Sequence, residues 1–194
     1  NWANPLTKDL VFVLPMWEAH GNIVHDVTGN GHHAELKNMS GEAGSGWGQS
    51  YAGICVEFDG VDDYMEIPHH DDLEWGDATI PPDNQTIAIW LRCDGANAAD
   101  KTRGIFSQGD YDADYEGLYL RLGDDRGSSF DPPSDPKVTL MLGTTGGSWS
   151  KHVQDASKGV TYGEWECIVL VSQPASATQK NRVFISGRQV LNTG

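Results

Sequence analysis

The stretch Thr86-Ile-Ala-Ile-Trp-Leu-Arg92 decides the fold class. Aliphatic residues at the odd positions alternate with Ala88, Trp90 and Arg92, and a period of two residues is that of a pleated strand, whose successive side chains point to opposite faces. Both faces are largely apolar, which is typical of a strand in the middle of a sandwich or beneath a loop. We therefore predict a covered strand here, with Trp90 and the later Trp165 in the core.

Short apolar or alternating runs recur along the chain with turn residues between them, and helical periodicity is almost absent. This pattern predicts an all-β protein, a two-sheet antiparallel β-sandwich of ten strands. The nine further strands are predicted at Leu10–Leu14, Ala34–Lys37, Ile54–Phe58, Tyr64–Ile67, Gly104–Ser107, Gly117–Leu122, Val138–Leu142, Trp165–Val171 and Arg182–Ser186.

Glycine, asparagine and aspartate mark the connections. They predict tight turns at Asp26–His32 and Asp59–Asp63 and a hairpin connection at Gly143–Gly147, with aspartate side chains capping the turns. Ser40–Ser50 and Gly123–Pro136 are rich in turn residues, so we expect both to be long surface excursions.

Length and charge limit the classes of function that suit this chain. A chain of 194 residues suits one domain, residues 1–194. A formal charge of −15 without a basic cluster disfavours nucleic acid as a partner. A mean hydropathy of −0.45 and the lack of a long apolar run predict no membrane span.

Cys55, Cys93 and Cys167 lie in apolar runs, and their odd number favours buried thiols over a disulfide.

Seven segments follow one another in a recognisable order: Asp26–Leu36, Val56–Pro68, Thr86–Arg92, Gly104–Gly109, Gly117–Leu122, Glu164–Val169 and Val183–Arg188. From about Leu10 to the end, the chain resembles the laminin-G-like domains of the concanavalin A-like lectin and glucanase superfamily. The resemblance implies a jelly roll that serves as a carbohydrate- or protein-binding module of a larger protein, extracellular or on the surface of a virus particle.

One departure concerns the end of the chain. Members similar to this one continue past the strand at Val183–Ser186 with two more strands, whereas this chain reaches only Gly194. We therefore expect the sandwich to lack its last two strands. An absent segment, a second region or a neighbouring subunit would close it, the last by homo-oligomerisation with strand exchange.

Aromatic residues in predicted loops are the candidate ligand-binding residues, because sugar rings stack on exposed aromatic rings. We assign this role to Trp47, Trp149, Tyr111 and Tyr115. The alternative for the two tryptophans, which the sequence leaves open, is that each folds back to cover the sandwich.

An acidic loop carries the candidate metal ligands, Asp110, Asp112, Asp114 and Glu116. Four carboxylates at every second residue suit Ca²⁺, which prefers hard oxygen ligands, although plain solvation also relieves their repulsion. The loop is not an EF-hand, because Tyr115 stands where that motif needs glycine.

Histidines occur in two short runs, His32-His33 and His69-His70-Asp71-Asp72. Adjacent residues on an extended chain point apart, and no second pair stands at a recognisable ligand spacing. We therefore interpret these histidines as solvated loop residues.

Catalysis finds little support, and we predict that the protein is not an enzyme. Glu57-Phe-Asp59-Gly-Val-Asp62 comes close to the Glu-x-Asp-x-x-Glu strand of laminarinase-type glucanases, but Gly60 interrupts it and the last member is Asp. There is also no Gly-x-Ser-x-Gly elbow.

Three functions therefore stay open, in order of preference. The first is a non-catalytic recognition or adhesion module that binds carbohydrate, with Ca²⁺ as a candidate cofactor. The second is a decoration or attachment domain on a virion or other surface assembly, which contacts neighbouring protein subunits. The third is a glycoside hydrolase of the laminarinase type.

Overall fold

The computed structural model describes residues 9–73, 85–94, 103–108, 118–122, 138–144, 148–153, 159–173 and 180–192. In these ranges the chain forms thirteen strands, all paired antiparallel in four sheets, and one short 3-10 turn. The predicted all-β, antiparallel class is thus confirmed. The chain divides into two compact units, Asn1–Leu73 and Glu74–Gly194, each with its own core. The assignment of residues 1–194 to a single domain stays a prediction.

The first unit contains a three-stranded sheet and a hairpin. Its elements are β1 (Ile23–Val24), β2 (Ala34–Lys37), β3 (Gly46–Ser50), β4 (Gly53–Glu57), β5 (Tyr64–Glu66) and a 3-10 turn at Asp71–Leu73. The sheet has the order β1-β2-β5, and β3 pairs with β4 across a two-residue turn. The buried side chains of Val24, Ala34 and Leu36 form the core of this unit.

The second unit contains two four-stranded sheets. Its strands are β6 (Gln85–Arg92), β7 (Arg103–Gln108), β8 (Leu118–Leu122), β9 (Val138–Thr144), β10 (Ser148–Val153), β11 (Trp165–Gln173), β12 (Lys180–Ile185) and β13 (Arg188–Asn192). The orders are β10-β9-β8-β7 and β13-β12-β11-β6.

The core of the second unit is shared by both of its sheets. Three leucines at alternate positions of β8, together with Val138 and Leu140 of β9, lie in one buried cluster. The cluster also contains aliphatic residues of β11 and β12, among them Ile168, Leu170, Val183 and Ile185. Period-two alternation places all of these side chains on the inner face of their sheet. Two sheets with a common core are the arrangement of a β-sandwich.

Nine of the ten predicted strands have a counterpart, and Ala34–Lys37 is reproduced residue for residue. The prediction at Leu10–Leu14 is wrong, because this segment forms no ladder. The backbone N–H of Val13 instead donates to the Asp26 carboxylate, and its carbonyl accepts the N–H of Val27. One side-chain bond and one isolated backbone bond thus take the place of a strand ladder here.

Four strands were not predicted: β1, β3, β10 and β13. The excursion predicted at Ser40–Ser50 is wrong in its second half, which is strand β3. The hairpin at Gly143–Gly147 is confirmed, since Thr144 of β9 pairs with Ser148 of β10. After Ser186, where no strand was predicted, β13 pairs with β12.

All three cysteines are free thiols, as predicted. Cys55 and Cys93 are buried thiols, and Cys167 is a half-buried one on β11. In the described part of the chain, no helix is long and apolar enough to cross a membrane.

Candidate functional site

Trp90 lies on the outward face of β6 with 68% of its surface exposed. The prediction that Trp90 lies in the core is therefore wrong. Among the described strands, β6 is at one end of the order β13-β12-β11-β6. The side chains of Ile87 and Leu91 point to the sandwich core, so Trp90 and its even-numbered neighbours point away from it.

The strand register shows what surrounds Trp90. It lies opposite Cys167 of β11, while Ala88 lies opposite Val169, which in turn lies opposite Phe184 of β12. Directly opposed residues of antiparallel strands project from the same face. Ala88 is exposed and the other three are half-buried, so Trp90 stands at the end of an apolar outward face.

A charged pair adjoins the indole along β6. Arg92 stands two residues from Trp90 on the same face, about 7 Å along the strand. Its Nε and Nη2 each donate a 2.6 Å hydrogen bond to one carboxylate oxygen of Asp94. This two-point pairing holds the guanidinium plane in one orientation. The site therefore combines one exposed aromatic ring with fixed polar groups.

The two tryptophans predicted to bind ligand lie on strands and not in loops. Trp47 lies on strand β3, half-buried, packs against the core of the first unit, and donates its indole N–H to the Gly21 carbonyl at 2.7 Å. Trp149 lies on β10 opposite Gly143. The assignment of both tryptophans to loops was wrong, whereas their role in binding stays a prediction.

Four predicted metal ligands and two predicted aromatics lie outside the described residues: Asp110, Asp112, Asp114, Glu116, Tyr111 and Tyr115. The binding of Ca²⁺ by these carboxylates therefore stays a prediction.

The acidic turn that follows β4 has the hydrogen bonds of a capped turn. An Asp59 carboxylate oxygen accepts the backbone N–H of Val61 at 2.7 Å, and Asp63 accepts the N–H of Asp59 at 2.9 Å. Gly60 has φ +73°, which breaks the strand within the glucanase-like segment. The predicted capping role of these aspartates is confirmed.

Three potential metal ligands meet in the first unit, His32, His70 and Asp72. His32 is only 3% exposed, so its interpretation as a solvated loop residue was wrong. Its Nε2 lies 3.3 Å from Asp72 Oδ2, and His70 Nδ1 lies 2.9 Å from Asp72 Oδ1. The sequence alone does not reveal this cluster, because the loop before β2 and the segment at the 3-10 turn, far apart in sequence, supply its members.

Asp26 organises the loop that carries His32. Burial raises the pKa of its carboxyl, but hydrogen bonds from the Thr28 hydroxyl and from the backbone N–H groups of Val13, Thr28 and His32 outweigh this effect and lower the pKa to about 2. The carboxylate is therefore charged at neutral pH and accepts the N–H of His32 itself, at 3.3 Å. The predicted turn-capping role of Asp26 is confirmed.

Comparison with known proteins gives no relative: no protein-family model, no curated protein and no solved structure matches the chain. The class that the fold defines is an antiparallel all-β protein, in which two sheets of the second unit share one core.

Proposed function

We propose that the protein is a non-catalytic recognition module that binds carbohydrate at the outward face of β6. The observation that carries this proposal is the exposure of the Trp90 indole on a sheet face, beside the Arg92–Asp94 pair. A rigid scaffold presents the ring, so little conformational freedom is lost when a ligand binds.

The chemistry of this face suits a sugar. The C–H face of a pyranose packs on an indole, while its hydroxyl groups need donors and acceptors at the edge of the ring. Arg92 supplies donors and Asp94, with 63% of its side chain exposed, supplies acceptors. An apolar stacking surface and polar groups that can orient a ligand thus lie side by side, as in other sites for small ligands.

The resemblance to laminin-G-like domains supports the same function and a setting outside the cell or on a virion. In this proposal the second unit is the sandwich that presents the ligand. Ca²⁺ bound by the carboxylates of Asp110, Asp112, Asp114 and Glu116 belongs to the proposal as a candidate cofactor.

A broad glycan array with the purified chain tests the proposal, with and without Ca²⁺. Wild type should bind a defined set of glycans, and Trp90→Ala should lower affinity at least about tenfold, the equivalent of one stacking contact of ~1.4 kcal/mol. Trp17→Ala is the matched control, because Trp17 is another exposed tryptophan, 62% exposed, in the first unit. It should bind like wild type.

Two results would contradict the proposal. One is an array on which the folded wild type binds nothing in either buffer. The other is a Trp90→Ala protein that keeps wild-type affinity. If Trp47→Ala or Trp149→Ala abolished binding instead, the ligand would bind at the residues predicted from the sequence.

A second function is favoured by the apolar character of the same face. Cys167, Val169 and Phe184 are half-buried around the exposed Trp90, and contiguous apolar surface of this kind is typical of protein contacts. The alternative is a decoration or attachment domain of a surface assembly. Concentration-dependent self-association by light scattering, lost in Trp90→Ala, together with a blank array, would favour it.

A further inference from the structure

His32 and His70 bring two imidazole rings together across one carboxylate. The rings lie edge to face with centroids 4.8 Å apart and planes at 73°. Asp72 stands between them, with one carboxylate oxygen 3.3 Å from His32 Nε2 and the other 2.9 Å from His70 Nδ1. All three residues offer a ligand atom within 4.8 Å of the other two.

These distances suit a first-row metal ion. Two ligand atoms bound at about 2.05 Å to a tetrahedral zinc are about 3.3 Å apart. The 3.3 Å between His32 Nε2 and Asp72 Oδ2 already equals that spacing. The side chains of His70 and Asp72 are about half exposed, at 54% and 50%, so both can rotate to complete the site.

The burial of His32 is the second observation. Its side chain is 2% exposed, yet its Nε2 points at an acceptor on another segment rather than at backbone. A buried imidazole nitrogen needs a partner, because burial removes it from water and an unpaired polar atom in the interior costs free energy. An ion shared with Asp72 meets this need more strongly than one 3.3 Å hydrogen bond does.

Neighbouring contacts hold the ligands in place. The Asp26 carboxylate accepts the backbone N–H of His32, and the carbonyl of His70 accepts the N–H of Leu73 at 2.9 Å. His32 is thus fixed by the loop before β2, and His70 with Asp72 by the 3-10 turn. Such support is what metal ligands need from their surroundings.

We propose that His32, His70 and Asp72 bind one divalent transition-metal ion, with Zn²⁺ as the preferred ion. Two imidazole nitrogens favour zinc and its neighbours over Ca²⁺ and Mg²⁺, which select oxygen ligands. Three protein ligands leave a fourth position for water. The ion would join segments 40 residues apart in sequence and stabilise the first unit. This site is independent of the carbohydrate site proposed at Trp90.

The experiment titrates Zn²⁺ into chelator-treated protein by calorimetry, with zinc per chain measured after gel filtration. Wild type should bind one Zn²⁺ and melt at a higher temperature with it. His70→Gln and Asp72→Asn should each weaken binding by about 100-fold or more, since loss of even a supporting contact costs 10–100-fold. Cobalt in place of zinc should give the visible bands of a tetrahedral site in wild type but not in His70→Gln or Asp72→Asn.

His25→Gln is the matched control. His25 Nδ1 lies 3.2 Å from the Glu18 carboxylate, so it is also a histidine paired with a carboxylate, and it is exposed. The control should retain full zinc binding and the zinc-dependent rise in melting temperature. Circular dichroism of each variant checks the fold. The side chains of His70 and Asp72 are half-exposed, so their replacement disturbs packing less than replacement of the buried His32 would.

Three results would overturn the proposal. Wild type could bind no zinc at micromolar concentration. His70→Gln and Asp72→Asn could both bind zinc like wild type. His25→Gln could lose zinc while His70→Gln retains it, which would move the ion to Glu18 and His25.

Discussion

The Asp26 carboxylate accepts the backbone N–H of Val13 at 3.0 Å, across 13 residues of sequence. The same oxygen accepts the N–H of Thr28, while the other oxygen accepts the Thr28 hydroxyl at 2.7 Å and the N–H of His32. One buried side chain thus fixes the loop that follows β1 and the segment that precedes that strand. Four hydrogen bonds thus converge on a single charged acceptor.

Replacing Asp26 by Asn should destabilise the first unit. The amide nitrogen cannot accept a hydrogen bond, so at least one donor is left without a partner in a buried site. The free energy of unfolding should fall by about 2 kcal/mol. Urea denaturation measures this change. Asp62→Asn is the control, since Asp62 is exposed in the next acidic turn, and it should change stability by less than about 0.5 kcal/mol.

The lowered pKa of Asp26 also predicts a pH dependence. The value falls from 3.8 to about 2 on folding. A depressed folded-state pKa adds stability that is present above pH 3.8 and is lost as pH falls through about 2. The gain in wild type relative to Asp26→Asn should therefore shrink by about 2 kcal/mol over this window. A difference between the two proteins that stayed constant in acid would contradict the hydrogen-bond geometry.

Adjacent residues on β11 should differ in how much they stabilise the second unit. Leu170 is 1% exposed in the shared core, whereas Val169 points to the outward face. Leu170→Ala should cost about 2–5 kcal/mol of unfolding free energy, through lost burial and the cavity that remains. Val169→Ala should cost less than about 1 kcal/mol, because that face is half-exposed. Equal costs would mean that the two faces of this sheet are misassigned.

The sequence predicts strands well where alternation is clear. Ala34–Lys37 alternates and is reproduced, whereas Gly46–Ser50 contains two glycines and no β-branched residue, so it has the composition of a loop. The prediction that Trp90 is buried fails for a different reason. With apolar residues on both faces of β6, composition alone cannot decide which face meets the core, and only the partner sheet does.

The capping aspartates could be predicted, because an Asx turn depends on residues two positions apart. The cluster of His32, His70 and Asp72 could not, since it exists only when a loop and a 3-10 turn meet. Adjacent histidines do point apart, as expected. Each run nevertheless contributes one imidazole to the cluster, and that contact is a property of the tertiary structure.

A two-residue turn connects β12 to β13. Ile185 pairs with Arg188, so Ser186 and Gly187 alone form the connection, with φ of +48° and +81°. Positive φ at both central residues is the type I′ turn, whose twist matches that of the strands. Asn adopts this conformation more readily than Ser, so Ser186→Asn should raise the unfolding free energy by about 0.5 kcal/mol. Gly187→Ala should lower it by about 1–2 kcal/mol, because a Cβ is strained there. Chemical denaturation measures the free energy of unfolding of both variants. An alanine variant as stable as wild type, or an asparagine variant less stable, would show that the connection is not a type I′ turn.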